Sequence, residues 1–91
     1  MVIGCLIANW LDKKDAPSRL GVITSKKIGN AVKRARARRL LRETFRLRQN
    51  ELARPVDLVL VARNSIDGKS YSEVERDFLR AMKQAKILRA E

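Results

Sequence analysis

The chain has no histidine and a single cysteine, Cys5. Without histidine it lacks the usual general base at neutral pH and the commonest metal ligand. Ser-His-Asp catalysis, Cys-His catalysis and the familiar zinc sites are therefore excluded. A lone cysteine allows no internal disulfide, and in its apolar setting Cys5 reads as a small buried hydrophobe. Acidic residues are scarce, ten against twenty-one Lys and Arg, and the formal net charge is +11. Asp12, Asp15, Asp57 and Asp67 are scattered, with no pairing that resembles two-metal or glycosidase chemistry. The first eleven residues, MVIGCLIANWL, are apolar but too short for a membrane span, and they lack the basic region and cleavage signature of a signal peptide. These absences describe a soluble basic domain of a reducing compartment, with no catalytic constellation of its own.

What remains is enough for one small fold. Ninety-one residues, 45% of them apolar, form a single domain over 1–91. Val2 to Leu11 reads as one strand, Asp12 to Ser18 as a loop, and Arg19 to Ser25 as a second strand, the two runs forming an antiparallel hairpin. Lys26 to Asn30 is a hinge in which Gly29 frees the backbone and Asn30 caps the helix that follows. Helical periodicity runs from Ala31 to about Ala53. It places Ala37, Leu41, Thr44, Phe45 and Leu52 on one side, with Arg36, Arg39, Arg42 and Arg46 nearly opposite. Arg54-Pro55 stops this helix. Val56 to Ala62 is the strongest strand and completes a βαβ unit. Residues 64–69 are a loop, and Ser70 with Glu73 forms a capping box opening a second amphipathic helix, Tyr71 to Leu88, through Val74, Phe78, Met82 and Ala85.

The charge is concentrated. Residues 26–48 hold Lys26, Lys27, Lys33 and seven arginines against one acid, Glu43. Guanidinium is planar, always charged and weakly hydrated, so it forks onto phosphate oxygens better than ammonium does. A solvated helix face normally mixes signs, and this one offers few i,i+4 acid–base pairs. The pattern points to nucleic acid. RNA is favoured over DNA, because helix-turn-helix domains are all-α and an exposed face of nearly pure Arg suits backbone and shape recognition. Phe45 and Phe78 lie on apolar helix faces and belong to the core. Trp10, at the end of the first strand, is either hairpin packing or a stacking platform for a single strand.

The string Ser25–Arg46, SKKIGNAVKRARARRLLRETFR, closely resembles the signature of the protein subunit of bacterial ribonuclease P. RLGV before it, DLVLVAR after it and the closing Ser-Tyr-x-Glu helix agree, so the resemblance covers residues 2–88. It implies an α/β, ribosomal-protein-like fold with a small, mainly antiparallel sheet, a left-handed βαβ crossover carrying the basic helix, and a C-terminal helix. It also implies a function in the cytoplasm: binding ribonuclease P RNA and the 5′ leader of precursor tRNA, while Mg²⁺ at the RNA active site serves RNA-catalysed cleavage. No cofactor of the protein itself is implied. Carried over by position, the RNA-facing residues are Lys26, Lys27, Arg34, Arg36, Arg38, Arg39 and Arg42, to which the stripe adds Arg46. The family's central Asn is Ala35 here, so an amide able to bind RNA or orient a hydrated metal ion is absent. The family's N-terminal helix and first strand have no counterpart ahead of Val2, which would expose one apolar sheet face and favour self-association. Rival readings are a ribosomal or other structural RNA-binding protein, and a basic amphipathic helix docked on a protein or membrane. Well-formed strands and an arginine-only polar face count against the latter.

Overall fold

The most apolar run becomes the centre of the sheet. In the computed structural model, which describes residues 1–15 and 17–89, β4 (Val56–Ala62) buries Val56, Leu58, Leu60 and Ala62 on one face and half-buries Asp57, Val59 and Val61 on the other. A strand apolar on both faces gains most when both edges are paired. Its neighbours are β2 (Leu6–Asp12), antiparallel, and β3 (Arg19–Ile23), parallel. A two-residue β1 (Val2–Ile3) adds to the free edge of β2, so the order is β1-β2-β4-β3.

Two strand expectations are corrected by this topology. The run 2–11 is not one strand but a tight β1–β2 hairpin turning at Gly4-Cys5, where Gly4 has φ +53. The run itself thereby supplies a short strand ahead of the long one. The hairpin expected between the first two runs does not form, because β4 inserts between them. Their connection crosses the start of β4: Lys13 N donates to Pro55 O at 3.0 Å, and Val56 N to Ser18 Oγ at 3.0 Å. Ala16, in the loop expected over 12–18, lies outside the described residues, as do the last two residues of the expected domain.

Parallel β3 and β4 need a crossover, and α1 (Ala31–Arg48) provides it. α1 packs on β3 and β4, α2 (Tyr71–Gln84) packs on β1 and β2, and the helices meet each other. One core results, holding Leu6, Ala37, Leu41, Leu58, Leu60 and Phe78. Both helices end earlier than their periodicity predicts. After Arg48, residues 49–51 tighten into a 3-10 turn, and Leu52 is extended (φ −74, ψ 136) on its way to Arg54-Pro55. Leu52 stays buried by pairing with Leu88 rather than through a helical face. Lys86, at φ 59, ends the second helix region and turns Ile87 into the core. Tertiary burial of Leu52 and Ile87 thus mimics helical periodicity beyond the true ends. Ser70 caps α2 as expected, accepting from Glu73 N at 3.2 Å.

The other sheet face carries no helix among the described residues. Across it run Val2, Ile7, Val61 and Ile23 in one row, then Asn9, Val59 and Gly21, then Leu11, Asp57 and Arg19. Val2, Leu11 and Ile23 are exposed there, the residues on which the self-association expectation rests. Trp10 is not among them: it pairs with Leu58 on the helix-covered side and packs against the core, so the stacking-platform alternative is set aside. No helix among the described residues is long and apolar enough to cross a membrane.

Candidate nucleic-acid interface

The basic surface is built from two adjoining pieces. The first is the 3-10 turn Lys26–Ile28 at the end of β3, held down by buried Ile28 and leaving both lysines exposed. Gly29 follows at φ 140, a conformation that L side chains avoid, and an added Cβ would meet the Lys33 side chain at 2.7 Å. The chain reverses there into Asn30, whose Oδ1 accepts from Lys33 N at 3.0 Å, the cap expected for α1. The second piece is the outer face of α1, opposite Ala37, Leu41, Thr44 and Phe45.

All eight predicted residues lie on this contiguous surface, yet they are not equivalent. Lys26, Lys27, Arg39 and Arg42 are exposed, and their side chains have no hydrogen-bond or ion-pair partner among the described residues. Arg36 is exposed, and its Nη2 donates to Lys69 O at 2.7 Å, leaning toward the loop before α2. Arg46 is paired with Glu43, the stripe's one acid, whose carboxyl that hydrogen bond holds below the usual carboxylate range. Arg34 and Arg38 are half-buried on one flank: Arg34 Nη1 donates to Gly29 O at 3.2 Å and Arg38 Nη1 to Thr24 Oγ1 at 2.9 Å. Lys33 forms an ion pair with Asp67 at 3.1 Å. Ala35 is exposed beside Val32, which is 77% exposed, so the first turns present small apolar groups between the cations.

Arg48, the remaining cation of the basic run, serves structure instead. It donates to Glu75 at 3.1 Å and Glu51 at 2.9 Å, while Tyr71 Oη donates to the same Glu75 oxygen at 2.9 Å. The Arg48 hydrogen bond lowers the Glu75 carboxyl. Sequence reasoning missed the far end of the open sheet face. A shallow groove of about 400 Å³ lies there between Ile7, Ala62, Arg63, Asn64 and Ser65. The strand read over 2–11, the DLVLVAR string and the loop read over 64–69 each touch its lining, and nothing in their composition marked a recess.

Comparison with known proteins agrees with this geometry. The sequence model of the Ribonuclease P family matches residues 4–86. The chain is 46% identical over 70 residues to the ribonuclease P protein component of Clostridium beijerinckii, covering 77% of this chain and 56% of that one. It is 41% identical over 71 residues to that of Natranaerobius thermophilus, covering 78% and 62%. The chain thus spans somewhat more than half the length of the curated relatives it matches. The fold is similar to that of the Staphylococcus aureus RNase P protein, with a TM-score of 0.83 at 24% identity over 98% of this chain and 82% of that one. It is likewise similar to the Thermotoga maritima protein, with a TM-score of 0.82 at 22% identity over 92% and 80%. With the family model matched over residues 4–86 and curated relatives more than 40% identical over three quarters of the sequence, the chain belongs to the ribonuclease P protein family.

Proposed function

We propose that the chain acts in the cytoplasm as the protein subunit of ribonuclease P, binding the enzyme's RNA and assisting removal of the 5′ leader from precursor tRNA. In this reading the RNA carries the chemistry, with Mg²⁺ at the RNA active site, and the protein acts by electrostatic positioning. The observation that carries it is the set of cations with unpartnered side chains, Lys26, Lys27, Arg39 and Arg42, on adjoining parts of one surface of a family member. Unpaired guanidinium and ammonium groups displace counterions from a phosphate backbone without first breaking a bond within the protein. The open sheet face beside the turn, apolar along Val2, Ile7, Val61 and Ile23, is where we place the single-stranded leader. Trp10 faces the core, so contact there would be aliphatic rather than aromatic stacking.

Reconstitution tests this reading. Added to a transcribed bacterial ribonuclease P RNA at low magnesium, the protein is expected to restore cleavage of precursor tRNA at the leader junction. RNA binding without any gain in cleavage would instead fit a purely structural RNA-binding protein.

A further inference from the structure

We infer that Arg34 and Arg38 are positioning residues, which brace the Lys26–Ile28 turn against α1 rather than contact phosphate themselves. The inference rests on the RNA-binding reading above and divides the basic residues into two kinds. Arg34 and Arg38 are four residues apart, hence neighbours on successive turns of one helix flank. Both reach across to the segment that links β3 to the helix. Arg34 Nη1 donates to Gly29 O at 3.2 Å, and Arg38 Nη1 to Thr24 Oγ1 at 2.9 Å. The two acceptors bracket Lys26 and Lys27.

That segment needs such bracing. Between Thr24 and Asn30 the chain has little regular structure beyond two bonds of a 3-10 turn, Ile28 N to Ser25 O and Gly29 N to Lys26 O, each 3.2 Å. Gly29, at φ 140, is free to take many other conformations. Left to Ile28 alone, the two lysines would sample many orientations relative to Arg39 and Arg42. Ordering them at the moment of binding would then weaken association. Two guanidinium ties from a packed helix set that geometry beforehand. Arg is suited to this, because its planar fork loses little freedom per bond and stays charged when half-buried.

Thr24 makes the idea testable without altering charge. Filter binding of a transcribed bacterial ribonuclease P RNA over a series of salt concentrations would compare Thr24→Val, Thr24→Ser, Arg38→Gln, the Thr24→Val/Arg38→Gln pair and Arg39→Gln. Thr24→Val is expected to weaken binding roughly three- to tenfold, the range that one net hydrogen bond spans. Thr24→Ser, which keeps the acceptor, is expected to bind as the parent does. Arg38→Gln should match Thr24→Val, and the double variant should lose nothing more. The salt slope should stay at the parental value in each of these, whereas Arg39→Gln should reduce it by about 0.7–0.9. Thr24→Val binding like the parent overturns the inference, as does a slope lowered in Arg38→Gln to the extent seen in Arg39→Gln. A parental slope in Arg39→Gln would overturn the underlying RNA-binding reading instead, so the two failures are distinguishable.

Discussion

At Gly4 the main chain takes φ +53, and a Cβ there would sit 2.1 Å from Asp77 Oδ2. The same buried carboxylate accepts from Cys5 N at 3.0 Å, while Arg63 Nη1 donates to Gly4 O at 2.8 Å. The hairpin turn is thus clamped between α2 and the end of β4. Gly4→Ala is expected to destabilise the fold by about 2–3 kcal/mol, combining left-handed strain with displacement of Asp77; urea denaturation with an unchanged midpoint would refute this. Cys5 sits in the same clamp, and burial, reinforced by Asp77, pushes its thiol up to about 12. Iodoacetamide at mildly alkaline pH should therefore leave the native thiol largely unmodified and label it rapidly in concentrated guanidinium. Rapid native labelling would show that the clamp opens. The buried character of Cys5 was legible from its apolar neighbours. Its partnership with Asp77, 72 positions away, was not, because no local pattern links them.

At the scale of elements, α1 was legible in kind and in facing. Period 3.6 separated Ala37, Leu41 and Phe45 from the arginines, and Asn30 caps the helix as its type demands. Its end was not legible, since Leu52 continues the apolar period while lying in extended chain. The strand order was also hidden: β2 and β3 are adjacent in sequence, but β4 has the stronger claim on both as a strand apolar on two faces. Within the site, residue type identified the cations but could not rank them. Whether an arginine meets Thr24, Gly29, Lys69 or solvent depends on which loop folds beside it. The ranking leads to a measurement. Arg39→Ala and Arg42→Ala remove unpartnered charges from the outer face and should each flatten the log–log salt dependence of RNA binding by about 0.7–0.9. Arg46→Ala, already neutralised by Glu43, should do less. Equal slopes for all three variants would mean that the internal pairing does not persist in the complex.

For the whole molecule the governing quantity is the net charge of +11 on 91 residues. Nine ion pairs occur among the described residues, and most lie at the surface, where each contributes little. They cannot offset repulsion among the unpartnered cations, of which Lys26, Lys27, Arg39 and Arg42 lie together on the turn and the outer face of α1. The core is correspondingly small, and a chain of this length buries only about 60–65% of its unfolded surface. Free protein should therefore be least stable at low ionic strength, and its thermal midpoint should rise as salt screens the basic face. A specific RNA should raise it further, because binding adds its free energy to the native state alone. At RNA concentrations about a hundredfold above Kd this amounts to about 2.7 kcal/mol, or on the order of 10 °C for a domain of this size. The two effects run in opposite directions with salt: screening stabilises the free protein and weakens the complex. Differential scanning calorimetry with and without RNA across a salt series should show the two midpoints converging as salt increases. Midpoints that stay parallel would place the stabilisation in apolar contacts, and the open face along Val2, Ile7, Val61 and Ile23, rather than the arginine stripe, would then carry the binding energy.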